Sequence, residues 1–126
     1  MAKALGIGGV FFKSTDPKKL AAWYAEHLGM TIESYGAVKF LPAALPPGGS
    51  TVWNPFKATT DYFAPSTKDF MINLIVDDVA VALQQVLAGG AQIIGEIADY
   101  DFGRFGHFVD PDGNKIELWE VKAASA

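Results

Sequence analysis

The stretch 10–32, VFFKSTDPKKLAAWYAEHLGMTI, is repeated 61 residues later as the stretch 71–93, MINLIVDDVAVALQQVLAGGAQI. In this alignment Asp16 is echoed by Asp77. Each copy has the pattern of a strand, a helix start, an apolar helix, a glycine and a second strand. A duplication of this kind predicts two small modules that must pack against each other to bury their sheets.

Both copies carry a helix cap followed by an apolar stripe. In the first copy Asp16 and Pro17 begin the helix, because aspartate accepts unpaired N–H groups and proline is tolerated at the first helical position. We expect Asp77 to cap the second helix. The stripes are Leu20, Trp23, Tyr24 and Leu28 in the first helix, and Val79, Leu83, Val86 and Leu87 in the second.

Short apolar runs predict four strands in each module. They are Gly8–Ser14, Met30–Tyr35, Val38–Leu41 and Thr51–Trp53 in the first, and Phe70–Val76, Ala91–Ile97, Arg104–Val109 and Lys115–Val121 in the second. The loop DPDGN at 110–114 has proline early and glycine late, which suits a tight hairpin. We therefore predict an α+β fold in which two βαβββ modules, about 6–60 and 69–121, form a pseudo-symmetric, cup-shaped mixed sheet within one domain, 1–126.

Composition narrows the classes of partner. Half of the chain is apolar and 13% is aromatic, enough for a sizeable core. The net charge of −4 disfavours nucleic acids and anionic membranes, since both attract cationic surfaces. No apolar run approaches the roughly 20 residues that span a bilayer. Cysteine is absent, so disulfides, thiolate nucleophiles and zinc–thiolate sites are excluded. We expect a cytoplasmic protein that binds a small molecule.

The chain resembles the vicinal oxygen chelate superfamily, which includes glyoxalase I, bleomycin-resistance proteins and extradiol dioxygenases. The resemblance rests on two stretches. The first is 10–29, which is similar to the first strand and helix of that superfamily. The other is the stretch 103–120, with the core DPDGNKIEL at 110–118. The resemblance implies the glyoxalase/bleomycin resistance fold. It leaves function open, because this fold serves both enzymes and binding proteins.

Metal-dependent members of the superfamily take ligands from the first and last strand of each module. Carried over to this chain, Glu117 matches one of these positions. The others fall on Gly9, on Phe70 or Met71, and near Trp53, where no histidine or carboxylate stands. One carboxylate does not hold a divalent cation by itself. We therefore disfavour a divalent metal cofactor, and with it both extradiol dioxygenase and four-ligand glyoxalase I chemistry.

Glu117 and His107 are the candidate catalytic residues. Strand alternation places Ile116 and Leu118 on the helix side of the sheet and Glu117 on the cup side. A carboxylate in an apolar pocket has a raised pKa and could move a proton near neutral pH. His107 is on the neighbouring strand, and the turn register decides whether it shares that face. The alternative is a surface carboxylate and an ordinary strand histidine.

Six residues are candidates for ligand contact: Trp53, Phe56, Tyr62, Asn73, Arg104 and Trp119. The aromatic ones could form a wall for a flat ligand, or simply fill the core. Arg104 could hold a carboxylate or phosphate, or pair with Asp99 or Asp101. Asn73 could face the cup or be a hydrogen-bonded core amide.

Two small-molecule functions from different classes remain open, beside a third possibility, an interaction module whose cup is collapsed around its own aromatic side chains. The first is isomerase or lyase chemistry on a small oxygenated metabolite, with Glu117 as base or sole metal ligand and His107 assisting. The second is metal-free binding or sequestration of the bleomycin-resistance type, in which the acidic net charge would favour a cationic ligand. The superfamily resemblance also implies a homodimer.

Overall fold

The computed structural model describes Ala2, Lys3, Leu5 and residues 7–122 of the 126-residue chain. Helix α1 spans Pro17–Leu28 and helix α2 spans Val79–Ala88. The strands are β1 Ile72–Ile75, β2 Gln92–Tyr100, β3 Gly103–Val109 and β4 Lys115–Val121, and Pro42–Ala44 forms one 3₁₀ turn. The predicted α+β class is confirmed.

The four strands form one mixed sheet in the order β1-β4-β3-β2. Strands β1 and β4 run parallel, whereas β4 pairs with β3, and β3 with β2, in antiparallel fashion. The register sets Asn73 beside Glu117 on one side of β4 and His107 beside Glu117 on the other. Three polar side chains therefore cross the middle of the sheet in a single row.

The two helices cover one face of this sheet and create the core. Phe108, Ile116 and Leu118 point from the sheet to the helices and are almost completely buried, together with Val79 and Val86 of α2. Most predicted stripe residues are confirmed as part of this packing. Leu87 is the exception, because it lies on the outer side of α2 and is 51% exposed.

Both helices begin at an aspartate cap, as expected, but the cap of α2 is one residue later than predicted. The Asp16 carboxylate accepts the N–H of Lys19, as predicted for the cap of α1. For α2 the prediction was wrong by one residue: the cap is Asp78, whose carboxylate accepts the N–H of Val81. Since both residues are aspartates, the sequence pattern alone could not separate them.

The predicted strands of the first half do not form in the described part of the chain. Segments 8–14, 30–35, 38–41 and 51–53 carry no sheet ladder. An apolar run favours extended backbone, but a strand also needs a hydrogen-bonded neighbour. Only the turn of the predicted hairpin is present, with the Glu33 N–H donating to Ala37 O. The boundaries of the two modules, about 6–60 and 69–121, stay predictions.

The 110–114 turn ties α1 to the β3–β4 hairpin. Asp110 is 5% exposed, and its carboxylate accepts the N–H groups of Asp112 and Asn114 and the amide of Asn114. It also accepts the hydroxyl of Tyr24 from α1, at 2.8 Å. Burial, followed by the charge of Asp110, raises the pKa of Tyr24, so this phenol stays a donor. The turn predicted as a hairpin is thus also a tertiary anchor.

None of the helices in the described residues combines the length and the apolar character needed to cross a bilayer.

We expect Asp110→Ala to lower the free energy of unfolding by about 3 kcal/mol or more, because it leaves buried donors without an acceptor. Tyr24→Phe, which removes one of these bonds, should cost about 1–2 kcal/mol. Urea unfolding followed by circular dichroism measures both. Asp77→Ala is the matched control, and this exposed position should change stability by less than about 0.5 kcal/mol. Equal losses for Asp110→Ala and Asp77→Ala would contradict the anchor role.

Candidate functional site

Glu117 lies at the middle of β4, between β1 and β3, on the face of the sheet opposite to the helices. Its neighbours Ile116 and Leu118 are buried against the helices, as the alternation predicted. The Glu117 side chain is only 13% exposed. A carboxylate this shielded needs hydrogen-bond donors around it.

Three side chains from three parts of the chain supply those donors. The Asn73 amide of β1 donates to Oε1 of Glu117 at 2.8 Å. The Tyr62 hydroxyl donates to Oε2 at 2.6 Å, and Nε2 of His107 lies 2.8 Å from the same oxygen. The Tyr62 hydroxyl is also 3.2 Å from Nε2 of His107. We call Tyr62, Asn73, His107 and Glu117 the polar cluster.

The polar cluster shifts the pKa of Glu117 in the direction opposite to the one expected from the sequence. Burial alone would raise it, but the hydrogen bonds from His107, Tyr62 and Asn73, together with the charge of His107, lower it below its ordinary value. The expectation of a raised pKa is therefore wrong. The physical cause is the set of three donors, His107, Tyr62 and Asn73. Of these, Tyr62 is 55 residues away along the chain and could not be linked to Glu117 from the sequence. The carboxylate is ionised at neutral pH and accepts hydrogen bonds.

Lys115 is a residue of this site to which sequence reasoning gave no role. It is two residues before Glu117 on the same face, and it is only 6% exposed. Its Nζ donates to the backbone carbonyl of Tyr62 at 2.6 Å and lies 5.0 Å from the centre of the Tyr62 ring. The sequence did offer one signal: Lys115 is two positions before Glu117 in a predicted strand, and alternation places both side chains on the same face.

Tyr62 is thus held at its hydroxyl and at its carbonyl. Its ring stacks on Phe56, with ring centres 5.8 Å apart, and meets the His107 ring edge-on. Burial, then the hydrogen bond to Glu117, raises the pKa of the Tyr62 hydroxyl. The phenol therefore keeps its proton and acts as a donor to the carboxylate.

An aromatic platform lies beside the polar cluster on the same face. Trp119 follows Glu117 by two residues and stacks on Phe105, with ring centres 6.0 Å apart and planes within 7°. Phe102 and Tyr100 continue the platform and are 62% and 52% exposed. Trp119 was a predicted contact residue, whereas the other three were not identified.

Two predicted contact residues lie outside the cluster. Arg104 is three residues from His107 on β3, so alternation places it on the other face. Its Nε lies 3.5 Å from the carboxylate of Asp99, which was the alternative recognised in the sequence. Trp53 is 79% exposed. The structure brings together Glu117, His107, Tyr62 and Asn73, with Phe56 and Trp119 next to them.

The donor set does not fit the metal centre that the fold family implies. Within the described residues, no group of three histidine, cysteine, aspartate or glutamate side chains could hold an ion. Glu117 and His107 supply two donors, and these already pair with each other. Gly9, Trp53, Phe70 and Met71, which occupy the remaining positions, carry no suitable ligand atoms.

A cavity of about 720 Å³ adjoins the cluster through Phe56. It is lined by residues between Asn54 and Met71, including Phe63. This volume falls within the range of small-molecule pockets. The segment that supplies Tyr62 therefore also borders a half-open cleft, which is lined by neighbours of Tyr62 rather than by the polar cluster itself.

Several solved structures have a similar fold. TnmS3, an antibiotic binding protein from Streptomyces sp. CB03234, is 22% identical over 86% of this chain and 88% of its own, with a TM-score of 0.51. TioX from Micromonospora sp. ML1 is 19% identical over 90% and 94%, with a TM-score of 0.50. A protein of unknown function from Agrobacterium tumefaciens str. C58 is 20% identical over 92% and 98%, with a TM-score of 0.54.

At these identities the likeness concerns the fold alone. The predicted glyoxalase/bleomycin resistance fold is confirmed by the family model that matches the chain. No curated protein gives a significant match. The family model described as "Glyoxalase-like domain" matches residues 9–119, most of the chain. The predicted superfamily resemblance is confirmed, and the chain belongs to the glyoxalase-like domain family.

Proposed function

We propose that this protein binds a small molecule through Glu117, and that the ligand is a flat aromatic compound with a cationic or hydrogen-bond-donating group. The observation that carries the proposal is the ionised Glu117 carboxylate, shielded from water and pointing away from the helices. A carboxylate has about four acceptor positions, and Tyr62, Asn73 and His107 occupy three. A further donor can bind there.

The aromatic platform supports the flat body of the ligand. Phe105 and Trp119 present stacked rings about 7 Å along the strands from His107 and Glu117, a spacing that follows from two residues of strand. Rings stack on such surfaces and cations are attracted to them. TnmS3, which has a similar fold, is an antibiotic binding protein, and this supports small-molecule binding by the present chain.

Isomerase or lyase chemistry, the other expected function, finds less support in the site. It needs a group that takes a proton near neutral pH, and the lowered pKa of Glu117 makes this carboxylate a weak base. A metal ion would supply other chemistry, but the donor set holds two protein ligands. Binding without a chemical step is therefore the function we favour.

The proposal is tested with 4-aminobenzamidine, a flat aromatic cation, and with its neutral analogue 4-aminobenzamide. Because the amidinium can donate two charge-assisted hydrogen bonds to a carboxylate, we expect it to bind at least about tenfold more tightly than the amide. Isothermal titration calorimetry measures both. Glu117→Gln should weaken amidine binding by about 30-fold or more, since it removes the charge.

Glu96→Gln is the matched control, because Glu96 is an exposed glutamate on β2, outside the polar cluster. This variant should bind the amidine like the wild type. Equal affinity for amidine and amide, or unchanged binding in Glu117→Gln, would refute Glu117 as the ligand anchor.

We also propose that the chain forms a homodimer. The support is a set of apolar side chains in the first half that are largely exposed: Val10, Phe11, Phe40, Val52 and Trp53. Large apolar side chains that are exposed together are typical of protein interfaces. A second copy of the chain would cover these side chains.

Light scattering at micromolar concentration should therefore give twice the chain mass of 13.5 kDa. Phe11→Ser, at a side chain that is 95% exposed, should shift the protein toward the monomer. Val81→Ser, at an exposed position on α2, should leave the mass unchanged. A wild-type mass of 13.5 kDa would rule out the dimer.

A further inference from the structure

Tyr62 differs from the other two donors to Glu117 in where it lies. His107 belongs to β3 and Asn73 to β1, so the backbone of both donors is fixed by the sheet. Tyr62 lies in a turn between Asp61 and Ala64, outside any helix or strand, and is 41% exposed. Its phenol can therefore move while the sheet stays intact.

The backbone of Tyr62 is fixed by a different contact. Lys115 donates from Nζ to the Tyr62 carbonyl at 2.6 Å, and its side chain is almost completely buried in the sheet face. A buried ammonium needs its acceptors, because leaving it unpaired is costly. The Tyr62 carbonyl is therefore held in place even when the phenol is displaced.

A ligand that binds Glu117 with two hydrogen bonds must compete with the donors already there. Only one of about four acceptor positions is unused, and the amidinium-type contact takes two. Among the three occupants, the Tyr62 hydroxyl is the one that comes from outside the sheet, so we take it as the donor that a ligand displaces. It donates to Oε2, the oxygen that it shares with His107.

We propose that Tyr62 is a gate over Glu117 and that Lys115 is the positioning residue that holds the gate in place. The gate closes when the phenol donates to Glu117 and opens when it rotates about its own side-chain bonds. Lys115 keeps the Tyr62 carbonyl fixed in both states. This inference rests on the proposed function of Glu117 as the ligand anchor, but its structural part can be tested without any ligand.

The ligand-free test follows the Glu117 carboxyl by ¹³C NMR titration in four proteins: wild type, Tyr62→Phe, Lys115→Met and the double variant. The charged and titratable groups around Glu117 are His107, Lys115 and Tyr62. Tyr62→Phe should raise the pKa of Glu117 by about one unit, because a hydrogen bond to the charged form is lost.

Lys115→Met should raise the pKa of Glu117 through two separable effects. Loss of the lysine charge acts through space and gives the same rise whether residue 62 is tyrosine or phenylalanine. Loss of the positioning contact acts only through the Tyr62 hydroxyl, so we expect an extra rise of about half a unit in the tyrosine background. Lys57→Met, in the same segment, is the control and should leave the pKa unchanged.

Equal rises in the two backgrounds would show that Lys115 acts by its charge alone and would overturn its positioning role. An unchanged Glu117 pKa in Tyr62→Phe would overturn the gate. Circular dichroism confirms that each variant is folded before titration, and Lys115→Arg provides a second variant, with the charge retained, should Lys115→Met fail to fold.

The ligand arm uses 4-aminobenzamidine. Tyr62→Phe should bind it about tenfold more tightly, since the competing hydroxyl is gone. Weaker binding would make Tyr62 a ligand contact and overturn the gate. If the probe binds none of the variants, the proposed amidine-type ligand is wrong, and the titration alone then decides the gate.

Discussion

The hydrogen bonds that surround the Glu117 carboxylate are the constraint on which the site depends. A largely buried carboxylate in the middle of a sheet is costly unless donors reach it from several directions. Here the donors come from β1, from β3 and from the turn around Tyr62 that precedes β1. These bonds hold the charge in place and at the same time define the surface that a ligand would meet.

The DPDGN turn at 110–114 joins β3 to β4 and so determines how His107 and Glu117 are aligned. Asp110 fixes the turn by accepting hydrogen bonds from the loop and from Tyr24, and the turn sets the register of β3 against β4. In that register His107 is directly opposite Glu117. A slip of one residue would place the two side chains on opposite faces of the sheet. The motif that is easiest to see in the sequence thus has a geometric role.

The sequence could predict those features that depend on local patterns. The helices, the cap at Asp16 and the bounds of β4 follow from apolar spacing and turn chemistry, and all are confirmed. The strands predicted in the first half were wrong because strand propensity does not specify a pairing partner. The face on which His107 lies required the register, which the sequence left open.

The electrostatic state of Glu117 could not be predicted for a similar reason. An apolar, aromatic surrounding was visible in the sequence and favoured a raised pKa, but the donors from Tyr62 and Asn73 are contacts between distant parts of the chain. The same limit applies to Lys115, whose hydrogen bond joins residues 53 positions apart. The position of Arg104, by contrast, follows from alternation alone: once β3 is known, Arg104 lies on the face opposite to His107.

The most direct measurement is the titration midpoint of the Glu117 side-chain carboxyl in the wild-type, ligand-free protein, followed by ¹³C NMR. We expect a midpoint below the ordinary value of 4.5, since the three donors stabilise the ionised form. A midpoint above that value, toward neutral pH, would contradict the hydrogen-bonded anchor and would return Glu117 to the role of a proton-transferring base.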